Sequence, residues 1–205
     1  ACGRDGGWTC DTGYTWDKRK AEFWQEPVDM TFGQVVDEVN QSWERFFPED
    51  NQKRIVITGG EPMLQQKKIN LLVSQLPGWE VEIETNGTIT PTPELSGVQF
   101  NCSPKLANSG NTVNRRYRPE VLKLMAGLPN SWFKFVASNL EDLVEIQQIV
   151  DECLIPKEKI LIMPEGSSEE AVSEHAQTLE KAVITKGWRM TLRNQLIWFG
   201  EKRRT

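Results

Sequence analysis

The feature that most constrains the fold is the segment at residues 55–62, Ile-Val-Ile-Thr-Gly-Gly-Glu-Pro, where a short apolar run ends in two glycines, a carboxylate and a proline. Consecutive apolar and β-branched residues predict a buried strand, and the glycines and proline predict a sharp turn after it. Gly59 and Gly60 would let a ligand approach the backbone closely, beside the carboxylate of Glu61. The segment therefore predicts either a plain strand-to-helix turn or a site for a cationic amine.

Strand and helix patterns alternate along the rest of the chain, which predicts a parallel sheet in a single domain. The carboxyl ends of parallel strands share one edge, so the polar residues that follow the strands should form one rim. We expect that rim to contain Glu61, residues 84–87, residues 103–105, Asn139, Glu165 and Gln195. Strands are predicted at residues 55–58, 80–84, 97–102, 132–137, 159–163 and 188–192, and helices at 31–47, 65–76, 119–126, 140–153 and from 167 or 168 to about 186.

These patterns favour an α/β fold, an incomplete and distorted parallel β/α barrel of about six to seven strands with few helices. A doubly wound sheet remains open, but the sequence has no Gly-x-Gly-x-x-Gly phosphate loop. Residues 106–117 are polar and include Arg115 and Arg116, which predicts a mobile surface loop.

Composition and charge exclude several further classes of protein. A net charge of −5 spread over 205 residues argues against binding to a nucleic-acid backbone. The absence of an apolar run of roughly 20 residues argues against a membrane span, so we expect a soluble, cytoplasmic protein. In that compartment the cysteines should not form structural disulfides, and we expect Cys102 and Cys153 to be buried small hydrophobic residues. His175 lies in a polar helix and is predicted to be a solvated surface residue.

Five motifs carry a resemblance when they are taken together and in order. They are Cys-Asp-Thr at residues 10–12, Val-Ile-Thr-Gly-Gly-Glu-Pro at 56–62, Ile-Glu-Thr-Asn-Gly-Thr at 83–88, Ser-Pro-Lys at 103–105 and Gly-Trp-Arg-Met at 187–190. In this combination the chain resembles the 7-carboxy-7-deazaguanine synthase family, which belongs to the radical S-adenosylmethionine superfamily. The resemblance implies an incomplete barrel of the radical S-adenosylmethionine type. It also implies conversion of 6-carboxy-5,6,7,8-tetrahydropterin to 7-carboxy-7-deazaguanine with loss of ammonia, as in queuosine-type biosynthesis.

The resemblance also implies cofactors and site residues. A [4Fe–4S] cluster would bind S-adenosylmethionine, and Mg²⁺ would bind next to the substrate through Thr12. Gly59, Gly60 and Glu61 would hold the methionyl ammonium of the cofactor. The other residues implied for the cofactor are Glu84, Asn86, Ser103 and Lys105, and those implied on the substrate side are Glu84, Arg193 and Gln195.

The cluster ligands depart from the family pattern, which has three cysteines before Asp-Thr. A glycine-rich loop carries Cys2 and Cys10, and Gly7 stands where the middle cysteine would be. Two cysteines alone are a weak metal signal, and two ordinary loop thiols are the alternative. We expect Cys2 and Cys10 to be the second and third ligands. We treat residues 1–205 as one core domain and expect a first strand and the remaining cysteine to precede Ala1.

By the same resemblance, the partners would be a pterin substrate, an electron donor such as flavodoxin or ferredoxin, and a second copy in a homodimer. Two other functions remain open. One is a radical S-adenosylmethionine activase that generates a glycyl radical on a partner, and the other is a cluster-free relative that acts as a binding or regulatory module.

Overall fold

The computed structural model describes Arg19, Ala21, residues 29–49 and residues 52–199. Within these residues the strands are β1 (Arg54–Ile57), β2 (Glu80–Thr85), β3 (Gln99–Cys102), β4 (Ser131–Ala137), β5 (Ile160–Pro164) and β6 (Arg189–Met190). The helices are α1 (Phe32–Phe46), α2 (Gln66–Ser74), α3 (Val113–Arg116), α4 (Pro119–Ala126), α5 (Leu140–Cys153), α6 (Glu169–Thr185) and α7 (Asn194–Phe199). No helix among the described residues has both the length and the apolar character needed to cross a membrane.

Three of the described helices begin at a residue whose side chain caps the helix. Thr31 accepts a hydrogen bond from the amide of Gln34, whose side chain accepts one from the amide of Thr31, and this capping box starts α1. Asn139 caps α5 by accepting a hydrogen bond from the Asp142 amide, and Ser168 caps α6 by accepting one from the Ala171 amide. The predicted helices are therefore confirmed, apart from small shifts at their ends.

The six described strands form one sheet in the order β1-β2-β3-β4-β5-β6, and every neighbouring pair is parallel. A doubly wound sheet would reverse its strand order at a switch point, whereas sequential order is the topology of a barrel. The predicted α/β fold is confirmed, and the strand order favours the incomplete barrel over the doubly wound alternative.

The two faces of the sheet differ in chemistry. Alternate residues of β4, from Ser131 to Ala137, are completely buried. This buried face packs against apolar side chains of α2, α4, α5 and α6, such as Ile69, Leu122, Ile146 and Leu179. The opposite face, which we call the inner face, is partly exposed and carries apolar residues such as Trp132 and Val136 together with a group of polar ones, Glu82, Glu84, Gln99, Asn101 and Lys134.

Two local predictions were wrong. Residues 106–117 are not a plain loop, because the segment contains a 3₁₀ turn (Ala107–Ser109) and α3, and Leu106, Ser109 and Arg116 are buried although residues 112–115 lie at the surface. His175 is not fully solvated: its Nδ1 lies 2.8 Å from the carbonyl oxygen of Glu165. In both cases polar residues make contacts far along the chain, which local polarity does not indicate.

Candidate functional site

The turn after β1 is fixed to the turn after β2 by the side chain of Glu61. Its Oε1 accepts hydrogen bonds from the Met63 amide (3.1 Å) and the Thr85 hydroxyl (2.7 Å). Its Oε2 accepts one from the Asn86 amide at 2.8 Å. Glu61 thus caps the 3₁₀ helix Pro62–Gln65 and locks two neighbouring strand ends together. In this arrangement the carboxylate positions the glycine turn, so the backbone becomes the main surface for a ligand.

That backbone is open. Gly59 has φ 143°, in the region that glycine favours, and both Gly59 and Gly60 are exposed. A Cβ atom built on either glycine would meet no atom of the described residues within 4 Å. Gly87 at the next turn is different, because a Cβ there would lie 2.5 Å from Cys102 Sγ and 2.6 Å from Leu122 Cδ2. Internal packing therefore requires glycine at position 87, whereas nothing among the described residues fills the space beside Gly60.

The turns after β2 and β3 present polar groups at the same edge. Asn86 Oδ1 accepts hydrogen bonds from the amide (2.9 Å) and hydroxyl (2.6 Å) of Thr88, which leaves the Asn86 Nδ2 group without a bond to any described residue. Lys105 Nζ donates to Ser103 Oγ at 3.2 Å. The Ser103 amide in turn donates to the carbonyl of Thr85. Strand exits β1 to β3 thus form a continuous hydrogen-bonded rim, as the sequence predicts.

A buried ion pair holds the segment that carries Lys105. Arg116 Nη1 donates to the Lys105 carbonyl at 3.0 Å and lies 2.6 Å from Glu145 Oε1. Glu145 Oε2 accepts a hydrogen bond from the Ala107 amide at 2.9 Å. The side chains of Arg116 and Glu145 are 8% and 23% exposed. Solvent therefore screens this pair weakly, and it fixes the backbone on both sides of Leu106.

The inner face carries charged side chains, and some of them lie next to this rim. Toward the amino ends of the strands, Glu82 accepts hydrogen bonds from Gln99 and Asn101. Toward the carboxyl ends, Glu84 Oε1 lies 3.6 Å from Lys134 Nζ, and Thr58 Oγ1 lies 3.5 Å from Glu84 Oε2. The first group is a closed network, whereas the contacts of Glu84 are long.

The rim continues across β4 and β5. The Glu165 amide donates to the carbonyl of Ala137 at 2.9 Å, and the Glu165 carbonyl meets His175. Arg193 Nη1 donates to the carbonyl of Gly166 at 2.8 Å, so Arg193 braces the turn after β5. Asn139, which was also predicted at the rim, caps α5. The side chain of Gln195 lies outside the described residues.

The cysteines divide into two groups. Cys102 and Cys153 are completely buried, as predicted, and burial raises the pKa of both thiols. Cys2, Cys10 and Thr12, the predicted metal ligands, lie outside the described residues. Within the described part of the chain, no three His, Cys, Asp or Glu side chains come together in a way that could hold a metal ion.

Sequence reasoning missed two residues close to this site. Lys134 is the only charged residue in β4, and the period of two in that strand could have placed it on the inner face with Glu84. Glu145 lies in an ordinary amphipathic helix, and no local pattern marks it.

The fold and the rim define the class of protein: an α/β protein of the partial-barrel type with a candidate ligand site at the carboxyl ends of its parallel strands. Comparison with curated proteins gives the family. The chain is 31% identical over 198 residues to the 7-carboxy-7-deazaguanine synthase of Pyrobaculum aerophilum, covering 95% of this chain and 81% of the relative. It is 30% identical over 214 residues to the protein of that name from Rhodopirellula baltica, covering 97% of this chain and 76% of the relative.

The chain belongs to the 7-carboxy-7-deazaguanine synthase family and is an enzyme of that family. A further relative with the same name, from Halobacterium salinarum, is 27% identical over 210 residues and covers 91% of this chain and 75% of its own. No family model matches the sequence. Among solved structures, an amidohydrolase 2 from Bifidobacterium longum subsp. infantis aligns with a TM-score of 0.35 at 15% identity over 85% of this chain and 72% of its own, a likeness too low to carry an argument.

Proposed function

We propose that this protein is the radical S-adenosylmethionine enzyme that converts 6-carboxy-5,6,7,8-tetrahydropterin to 7-carboxy-7-deazaguanine. The net change removes one molecule of ammonia and is redox-neutral, so the reaction is a ring contraction catalysed by a carbon–nitrogen lyase. The observation that carries the proposal is that the motifs Gly-Gly-Glu-Pro, Glu-Thr-Asn-Gly and Ser-Pro-Lys, which lie apart in the sequence, adjoin one another at one hydrogen-bonded rim.

The described rim suits an amino-acid ligand such as the methionyl end of S-adenosylmethionine. The exposed backbone at Gly59 and Gly60 suits an ammonium group, and Lys105 suits a carboxylate because its only described partner is the hydroxyl of Ser103. Asn86 can donate from its side-chain nitrogen. When bound, the cluster and S-adenosylmethionine would supply the 5′-deoxyadenosyl radical that abstracts hydrogen from the substrate. The role of the rim is to orient both molecules.

The proposal includes Cys2 and Cys10 as ligands of the [4Fe–4S] cluster and Thr12 as a ligand of Mg²⁺. Thiolates suit iron–sulfur clusters, and hydroxyl oxygen suits a hard cation. On the substrate side we propose Glu84 and, beyond the last strand, Arg193 or Gln195. Because Arg193 is already hydrogen-bonded to Gly166, a substrate would share it with the turn after β5.

The proposal also covers partners and location. We propose a cytoplasmic homodimer that receives electrons from a flavodoxin or ferredoxin. Membership of a biosynthetic enzyme family supports this location, and among the described residues the exposed Phe46 and Phe47 at the end of α1 offer apolar surface for association.

The test is anaerobic reconstitution of the complete protein with iron and sulfide, followed by incubation with S-adenosylmethionine, reductant and the tetrahydropterin. We expect a brown protein that forms 5′-deoxyadenosine, 7-carboxy-7-deazaguanine and ammonia, each measured by chromatography or assay. Cys10→Ala should lose its iron, whereas the control Cys153→Ser, which changes a buried thiol, should keep it. Equal iron in both variants would contradict the proposed ligands.

The same experiment separates the alternatives. Cleavage of S-adenosylmethionine without conversion of the pterin would favour an activase. A colourless protein that binds neither iron nor cofactor would favour the binding or regulatory module.

A further inference from the structure

The ion pair between Lys134 and Glu84 has a geometry that does not suit a stabilising role. Its atoms are 3.6 Å apart, whereas a charge-assisted hydrogen bond is about 2.7–2.9 Å long. The two side chains are 30% and 45% exposed, and an ion pair that water can reach contributes little to stability. The pair therefore costs little to separate, and each partner can turn to a ligand.

The surroundings of the two residues favour that exchange. Lys134 has no other polar partner among the described residues, although an ammonium group can donate three hydrogen bonds. Glu84 has only one other described contact, the long one with the hydroxyl of Thr58. By contrast, Glu82 on the same face of β2 is already engaged by Gln99 and Asn101. The uncommitted charges of the inner face therefore lie next to the rim.

A ligand that replaced both partners at once would need N–H donors for Glu84 and an anionic group for Lys134. Resting on the function proposed above, we propose that Lys134 binds the carboxylate of the pterin substrate while Glu84 accepts hydrogen bonds from ring or amino N–H groups of the same molecule. Lys134 is then a specificity-determining residue, which distinguishes a pterin that carries a carboxylate from one that does not.

The test compares two stable ligands, 6-carboxypterin and pterin, which differ in the carboxylate. Their dissociation constants would be measured by pterin fluorescence on the complete, reconstituted protein with S-adenosylmethionine. In the wild type we expect 6-carboxypterin to bind more tightly. Lys134→Met should weaken its binding by about tenfold or more and change the binding of pterin little, because a charge-assisted contact to the carboxylate is lost. Lys134→Arg should retain part of the preference.

The matched control is Arg54→Met, which also removes one positive charge beside the inner face. Arg54 is bound to Glu80 at 2.6 Å and lies 3.9 Å from Glu82, at the amino end of the strands and away from the rim. This variant should keep the wild-type preference for 6-carboxypterin.

Each other outcome overturns the inference. If Lys134→Met weakens the binding of both ligands equally, Lys134 does not recognise the carboxylate, and its effect comes from the position of Glu84 or from the stability of the fold. If the variant keeps the full preference, the carboxylate is bound elsewhere, and the proposed function stands without this residue. If the wild-type protein binds neither pterin, the proposed function and the role of Lys134 fail together.

Discussion

At the residue scale, Gly60 and Gly87 differ in their surroundings. Gly87 has φ 74° and lies against Cys102 and Leu122, so the fold itself requires it. Gly60 has a backbone conformation open to other residues and borders open space among the described residues. Under the proposed function, the glycine at position 60 would allow the close approach of a ligand.

This contrast gives a prediction for the pair Gly60→Ala and Gly87→Ala. The first should change the free energy of unfolding by less than about 0.5 kcal/mol but weaken the binding of S-adenosylmethionine, since the methyl group occupies the ligand's path. The second should destabilise the protein by about 1–3 kcal/mol through overpacking and backbone strain. Urea denaturation and equilibrium binding on the reconstituted protein measure the two effects. Wild-type cofactor affinity in Gly60→Ala would remove Gly60 from the site.

At the element scale, α3 and α5 support the rim from behind. Adjacent residues at the end of α3, Arg116 and Tyr117, contact two carboxylates of α5, Glu145 and Glu152. Only the first contact reaches the rim, because Arg116 and Glu145 also hold the backbone of Lys105 and Ala107. Helix α5 thus provides a candidate positioning residue, Glu145, and a matched control of the same type, Glu152.

The prediction compares Glu145→Gln with Glu152→Gln. Loss of the Glu145 charge leaves the buried guanidinium of Arg116 without its counter-ion, so we expect a loss of about 1–3 kcal/mol of stability and weaker binding of S-adenosylmethionine. Glu152→Gln should leave cofactor binding unchanged. Binding must be measured well below the melting temperature of each variant, so that the two effects separate. Equal cofactor affinity in both variants would limit Glu145 to a structural role.

At the scale of the whole molecule, the buried face of the sheet contains an ionisable thiol in an apolar core. Burial raises the pKa of Cys102 above its ordinary value of 9.0. Below pH 9.0 the thiol is protonated in both the folded and the unfolded states, so its ionisation does not lower the free energy of unfolding. Above pH 9.0 the unfolded chain ionises first, so the free energy of unfolding falls as the pH rises.

We therefore expect the urea concentration at the unfolding midpoint to decrease when the pH is raised from neutral to values above 9.0. Cys102→Ala should be less stable near neutral pH, because it leaves a cavity, but should lose less stability in alkali than the wild type does. An identical alkaline loss in the two proteins would assign the effect to other groups, such as Tyr117, whose pKa is also raised by burial.

Much of the fold was predictable from short-range patterns. The alternation in residues 80–84 identified a strand, and caps at Thr31, Asn139 and Ser168 identified helix starts. These signals depend on neighbours within about four residues, so the sequence displays them directly. The shorter β6 and the additional helix α7 were not predicted, because the end of the chain lacks such a clear pattern.

The sequence by itself determined the parallel α/β fold class, the glycine turn after β1 and the family. Each of them depends on patterns and motifs within short, contiguous segments. Only the tertiary structure decided that Glu61 binds the turn 24 residues later at Thr85, that Arg116 and Glu145 hold the backbone beside Lys105, and that Lys134 faces Glu84. The reason is that these contacts depend on strand order and register. Those are set by burial across the whole sheet and not by any local segment.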